Sequence, residues 1–168
     1  MKKKFENTKT LMIAGGCFWC MAKPYYEYDG VKRVLSGYAG GEEVNPTYEM
    51  VKNHKTGHRE TILIEYDPLI ISFEELIEIY MNTIDPFDGS GQFIDKGFNY
   101  TCALFSNDEY EKNYLKNIID NLEKETNKKV YIDILDECVF YMAEEYHQDY
   151  ALKNPKEMEE ELIASGRK

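Results

Sequence analysis

Residues 10 to 14 run Thr-Leu-Met-Ile-Ala and then meet Gly15-Gly16. A short apolar run closed by glycines predicts a buried strand. A helix is expected to open just after it, at Cys17 or Phe18. Pro24 does not suit a helix interior, so this helix is expected to be short, kinked or restarted at Pro24. Val31–Ser36 reads as a second strand and 37–46, with three glycines, as a loop. A helical turn is expected to start near Thr47. Arg59–Tyr66 alternates cleanly, which puts Glu60, Ile62, Ile64 and Tyr66 on one face, and Pro68 stops it.

Ser72 and Glu75 have capping-box spacing. Behind them Phe73, Leu76, Ile77, Tyr80 and Met81 form a helical stripe. Residues 85–97 read as a long loop and Tyr100–Phe105 as a strand. Ser106 and Glu109 predict a second cap, ahead of a stripe of Tyr110, Tyr114, Leu115, Ile118, Ile119 and Leu122. Lys129–Leu135 reads as the last strand. A loop, a short helix near Ala143–Leu152 and a polar tail follow. Strands alternate with helices, so the predicted class is α+β or α/β, helices packed on a sheet. One domain is expected over 1–168, with its core at about 8–155.

Composition narrows the function. The 168 residues suit a single core, and 43% hydrophobic with 30% charged residues reads as soluble and globular. The net charge of −11 argues against a nucleic-acid partner, which needs clustered Lys and Arg. The basic start Met1–Lys4 is followed by an apolar run too short for a signal peptide, and no membrane-spanning stretch is present. A cytoplasmic protein is expected. In a reducing compartment Cys17, Cys20, Cys102 and Cys138 are buried hydrophobes, metal ligands or redox groups, not a disulfide framework.

Four groups carry candidate chemistry. Cys17 follows a strand and two glycines at a predicted helix start, where unpaired N–H groups and the positive helix end are expected to lower a thiol pKa and favour the nucleophilic thiolate. Cys20, three residues on, is near enough for a disulfide. Phe18 and Trp19 flank the sulfur and suit either an apolar pocket or ordinary core packing. Glu60 shares a strand face with Ile62 and Ile64. Desolvation there would keep it protonated, as a general acid requires; a strand end pointing to solvent is the competing reading. His54 and His58 complete a C-x-x-C…H-x-x-x-H inventory for zinc, against which stand the long gap, Gly57 and the readiness of loop histidines to bond backbone. The acidic stretch 157–161 reads as a solvated face.

Taken together, several segments resemble the A class of peptide methionine sulfoxide reductases. They are Gly16-Cys17-Phe18-Trp19, Gly37-Tyr38-Ala39-Gly40-Gly41, Asn45-Pro46-Thr47-Tyr48, Thr56-Gly57-His58-Arg59-Glu60, Tyr66-Asp67-Pro68, Asp85-Pro86, residues 92–97 with Tyr100, and Glu144-Glu145-Tyr146-His147-Gln148. Their order and spacing hold from about residue 10 to 155. The resemblance implies a two-layer α/β plait with a ferredoxin-like core. It implies that Cys17 attacks the sulfur of methionine S-sulfoxide, free or in a protein, that Glu60 protonates the oxygen, and that Tyr48 and Tyr100 hydrogen-bond it. Phe18 and Trp19 would hold the methyl group, and Asp95 matches a polar pocket residue. No metal or organic cofactor is implied.

The resulting sulfenic acid needs a second thiol, and the resemblance points to thioredoxin or another thiol as final reductant. Residues 153–168 contain no cysteine, so the C-terminal resolving route of some family members is not expected. Cys20 is the expected resolving thiol because its place beside Cys17 needs no large rearrangement, with Cys138 the second choice and direct attack by external thiol a third route. Cys102, expected to share a strand face with Tyr100, reads as packing. Gly91–Asp95, Thr101, Cys102 and Met142 depart from the common family pattern, which bears on substrate preference. A monomer is expected. The competing functions are a general dithiol–disulfide oxidoreductase and a zinc-stabilised module.

Overall fold

The computed structural model describes residues 7–167; the basic start Met1–Lys4 lies outside them. Eight strands appear among the described residues. They are β1 (Lys9–Gly15), β2 (Val31–Ala39), β3 (Arg59–Tyr66), β4 (Gly91–Gln92), β5 (Asp95–Lys96), β6 (Cys102–Phe105), β7 (Ile132–Leu135) and β8 (Tyr141–Met142). The helices are α1 (Phe18–Ala22), α2 (Tyr48–Lys52), α3 (Phe73–Thr83), α4 (Glu109–Thr126), α5 (Tyr150–Lys153) and α6 (Pro155–Ser165). The central sheet has the order β7-β6-β1-β3-β2-β8. All its pairings are antiparallel except β6 with β7, which α4 connects in parallel. The four inner strands and the helices between them follow the split-βαβ order. This is the mixed sheet-and-helix architecture expected from the alternation.

One face of the sheet carries the main core. Leu11, Ile13, Ile62, Ile64 and Leu104 point there and meet Phe18 and Met21 of α1, Leu76, Ile77 and Tyr80 of α3, and Leu115 of α4. The opposite face holds a smaller cluster of Met12, Ala14, Ala39, Ala103 and Phe105, with Cys138 and Phe140 packed against it. No helix among the described residues is long and apolar enough to cross a membrane.

Several expected boundaries move. β2 runs through Gly37–Ala39, because a Cβ at Gly37 would meet the Phe140 ring at 2.3 Å and the Tyr141 carbonyl at 2.4 Å. This glycine lets a strand pass under a packed ring; it is not a loop signal. Residues 91–96 form a two-residue hairpin inside the expected loop. The cap of α4 is Asp108, which accepts from the Glu111 N–H, while Ser106 bonds the Glu111 side chain. Its exposed Tyr110 leaves the stripe for a short hydrogen bond to Glu74. Tyr100 ends a 3-10 turn, Phe98–Tyr100, and β6 starts only at Cys102, so the two share no strand face. The expected helix at 143–152 is a 3-10 turn, Glu145–His147, followed by α5.

The largest correction concerns the polar tail. Residues 155–165 form α6, which packs on α5 and α1 through fully buried Met158. Glu157, Glu159 and Glu160 are exposed as expected, but Glu161 is half-buried.

Candidate active site

The site is built where β1 ends. Gly16 turns the chain at φ 93°, a conformation glycine adopts freely. A Cβ there would stand 2.5 Å from Arg167 Nη2 and 2.7 Å from Gln92 Cβ, so the position has no room for another residue. The turn delivers Cys17, 7% exposed, to the N-cap of α1.

The structure corrects the expected effect of that helix start. The first helical N–H, from Phe18, donates to Glu60 Oε1 at 3.1 Å and so is not free for sulfur. A hydrogen bond with the Cys20 thiol, and then burial, push the Cys17 thiol well up from its ordinary value; the Cys20 amide pulls the other way with less effect. A five-residue helix has little dipole to set against desolvation. The resting group is a thiol.

Glu60 lies at the end of the buried row that continues with Ile62, Ile64 and Tyr66, as the strand parity predicts. It is 2% exposed. Burial, and next the Cys17 sulfur, push its carboxyl well above the usual range, against the Phe18 N–H. The Cys17 sulfur thus resists ionisation of Glu60. Tyr48 opens α2, whose cap Thr47 accepts from the Met50 N–H. Tyr100 is held by its neighbour Thr101, which accepts from Arg59 Nε at 2.8 Å; Arg59 is itself buried, paired with Asp133 and stacked over Phe98. Burial, then Glu60, push both phenols up, so both remain donors near neutrality. Asp95 comes from the hairpin; burial, then Glu161, raise its carboxyl, and its Oδ2 has no partner among the described residues.

One cavity of about 60 Å³ is lined by Cys17, Phe18, Trp19, Tyr48, Glu60, Asp95 and Tyr100 together with Glu161. All seven residues picked from sequence therefore meet at one place. A larger open groove of about 800 Å³ beside α3, lined by residues such as Pro24, Ile70 and Glu78, contains no cysteine or histidine and offers no comparable chemistry. Cys20 is buried beside Cys17, under Ala151 and Met158. Cys138 is on the other sheet face. Cys102 is core packing beside Tyr80, with burial pushing its thiol up to about 12.

The zinc inventory does not assemble. His58 is buried, its Nδ1 accepts from the Gly41 N–H and its Nε2 faces the Glu43 carbonyl at 2.8 Å. No group of three or more His, Cys, Asp or Glu side chains among the described residues comes together to hold a metal.

Sequence reasoning missed four residues around the cavity. Glu161 is one. Arg167 is 7% exposed; its Nη2 donates to the Gly15 carbonyl at 2.7 Å, its Nη1 to the Thr83 carbonyl at 3.4 Å, and its guanidinium lies 4.7 Å over Phe93. Glu144 accepts from Tyr38 Oη at 2.8 Å and from the Tyr48 N–H at 2.9 Å. Burial pushes its carboxyl up, but these bonds outweigh it and hold it below the usual range. His147 packs among Phe18, Trp19, Tyr48 and Tyr146. Glu144 and His147 sit in a quoted segment, but nothing in their spacing assigns them a contact.

Residues 9–168 match the family model described as peptide methionine sulfoxide reductase. The chain is 46% identical over 158 residues to peptide methionine sulfoxide reductase MsrA 2 of Staphylococcus aureus strain Mu50, covering 93% of this chain and 89% of that one. Among solved structures, methionine sulfoxide reductase A of Corynebacterium diphtheriae superimposes with a TM-score of 0.82 at 30% identity, over 90% of this chain and 77% of that one. Reduced Mxr1 of Saccharomyces cerevisiae gives 0.81 at 30% identity, over 91% and 89%; Mxr1 is also known in complex with Trx2. The match spans the sheet, the cavity and α6 alike, and the chain belongs to the peptide methionine sulfoxide reductase family, in its A class.

Proposed function

We propose that this cavity reduces methionine S-sulfoxide with Cys17 as nucleophile and Glu60 as acid. The observation that carries the assignment is the buried Glu60 carboxyl sharing a cavity wall with the Cys17 sulfur and two protonated phenols. Two anions side by side in a dry site are unfavourable, so the Cys17–Glu60 pair, doubly protonated at rest, keeps one proton when it gives the other to solvent. A bound sulfoxide needs that proton on Glu60 and the thiolate on Cys17. The Cys17 sulfur attacks the sulfoxide sulfur while the oxygen, gaining negative charge, takes the proton from Glu60 and hydrogen bonds from Tyr48 and Tyr100. Oxygen passes to sulfur: methionine leaves and Cys17 becomes a sulfenic acid. The cavity equals about two waters' share of liquid volume, which suits a methylsulfinyl group between Phe18, Trp19 and the polar wall that Asp95 completes.

Cys20 then displaces water from the sulfenic acid, forming a Cys17–Cys20 disulfide, which a dithiol such as thioredoxin reduces. Support comes from the burial of Cys17 and Cys20 in one cluster and from the sheet that separates Cys138 from them. Reduction of the S-sulfoxide is expected to vanish in Cys17→Ser; activity surviving there would remove the assignment. After one turnover without reductant, mass spectrometry should find Cys17 joined to Cys20. A Cys17–Cys138 bond or a persisting sulfenic acid would exclude Cys20 as the resolving thiol.

A further inference from the structure

The chain has a single tryptophan, and the structure gives it a partner that the chemistry above leaves unused. His147 is 1% exposed and ends the turn Glu145–His147. Its ring centre lies 5.0 Å from that of Phe18, 4.4 Å from Tyr48 and 4.0 Å from Tyr146. Its Nδ1 lies 3.1 Å from Trp19 Nε1. An indole N–H can only donate, so Nδ1 carries a lone pair and the proton of the neutral ring is on Nε2. Burial holds the imidazole below its ordinary value, against the pull of Glu144, which agrees with a neutral ring.

A phenylalanine would pack equally well among these rings and would bury no unpaired nitrogen. His147 does bury one: Nε2 has no hydrogen-bond partner among the described residues. A buried polar atom without a partner is a cost to stability. What histidine supplies and phenylalanine does not is the acceptor at Nδ1. The other contacts of Trp19 among the described residues are packing alone: Tyr150 stacks on its face at 3.9 Å and 10°, and Phe18 lies tilted to it at 6.3 Å. It is half-buried, so without an acceptor its N–H regains a partner by turning toward water. Glu144 fastens the same turn to Tyr48 and Tyr38, giving His147 a rigid base.

We propose that His147 is a positioning residue for sulfoxide binding: by accepting the Trp19 indole N–H it holds that ring as the wall of the methyl pocket, without touching substrate. This rests on the reading of Trp19 as that wall.

Two variants separate the acceptor from the ring. His147→Asn places Oδ1 where Nδ1 stands but loses aromatic packing. His147→Phe keeps the packing and removes the acceptor. We expect His147→Phe to raise KM for methionine S-sulfoxide about tenfold, the scale of one buried hydrogen bond, with kcat changed less than about threefold, and His147→Asn to hold KM within about threefold. Trp19 emission, the only tryptophan signal, should shift red and become more open to acrylamide quenching in His147→Phe and not in His147→Asn. The reverse order of the two variants would mean packing alone and would overturn the proposal; so would unshifted emission in His147→Phe, or shifted emission with unchanged KM. Should His147→Phe not fold, the wild-type protein carries the test. Its single indole N–H signal in a ¹⁵N-tryptophan spectrum should exchange with water at least about a hundredfold more slowly than a free indole, and free exchange would overturn the hydrogen bond. Trp19→Phe with unchanged KM would remove the methyl-wall reading and the binding role with it, leaving the emission test of the bond itself unaffected.

Discussion

Residues 15–20 and 155–167 lie against each other in the fold, yet they announce themselves very differently. The first segment is two glycines, two cysteines and two aromatics, and each residue type states its chemistry. The second is mostly polar, has no cysteine and carries four glutamates. Nevertheless it closes the site: Met158 covers Cys20, Glu161 reaches the cavity, and Arg167 bonds the carbonyl just before Gly16. A nucleophile is legible because its own side chain does the chemistry, whereas a covering segment acts through partners that sequence does not display. Arg167 binds backbone carbonyls of Gly15 and Thr83, and a carbonyl has no residue type.

The strongest way to test the independence of the first segment is Glu60→Gln. The amide keeps an oxygen to accept the Phe18 N–H but has no proton to give. Turnover should fall about a hundredfold or more, the scale of a lost general acid. Stability should move the other way. The folded Glu60 holds its proton to higher pH than the unfolded chain does. The native state therefore binds more protons, and wild-type stability declines as pH rises from the ordinary glutamate range toward the raised folded value. Glu60→Gln removes that decline, so denaturant melts at rising pH should show the variant gaining on the wild type. A variant that retained most of its turnover would remove Glu60 from the mechanism.

An intermediate effect is expected from Arg167→Met, which keeps an apolar stem and removes the donors. Two carbonyls then lose their partners, at a cost of about 1–3 kcal/mol. For a chain of this length that lowers Tm by several degrees, about 2–4 °C per kcal/mol. Protease cleavage within 155–165 should quicken while β1–β3 stay protected from hydrogen exchange. Uniform loss of protection across the sheet would show that the covering segment and the catalytic segment are one cooperative unit, not a core and its cover.

The fold was legible where pattern and packing coincide. Alternation placed Glu60 on the buried face because one face of β3 packs on helices along its whole length. The capping box at Ser72 formed as read, because both its bonds are local. Of the seven cavity residues, Cys17, Phe18, Trp19 and Glu60 were legible from their own chemistry and placement, whereas Tyr48, Tyr100 and Asp95 came only through the family resemblance. The misreadings share a cause in distant contacts. Gly37 signals a loop by composition but passes under Phe140. Cys17 sits at a helix start as expected, but Glu60, forty-odd residues away, has the N–H. For α6, signals were present: Met158, Leu162 and Ser165 fall on one face, between Pro155 at its start and Gly166, at φ 80°, just past its end. Two apolar positions and a serine among many charges do not outweigh the reading of a solvated tail.

The smallest expected effect is the most direct probe of how far the covering segment enters the chemistry. Glu161 faces the cavity, and its charge is among the causes that raise the Asp95 carboxyl. Glu161→Gln removes that charge and leaves Arg167 and Lys96, both of which pull Asp95 down. Asp95 should therefore ionise at lower pH, moving any acid limb in the pH profile of KM downward. Because Glu161 is half-exposed and screened, KM itself should change no more than about fivefold, the upper range for such charge pairs, with kcat unaltered. An upward shift of the limb, or a fall in kcat as large as that from Glu60→Gln, would make α6 part of the catalytic machinery and erase the division between the segment that reacts and the segment that covers it.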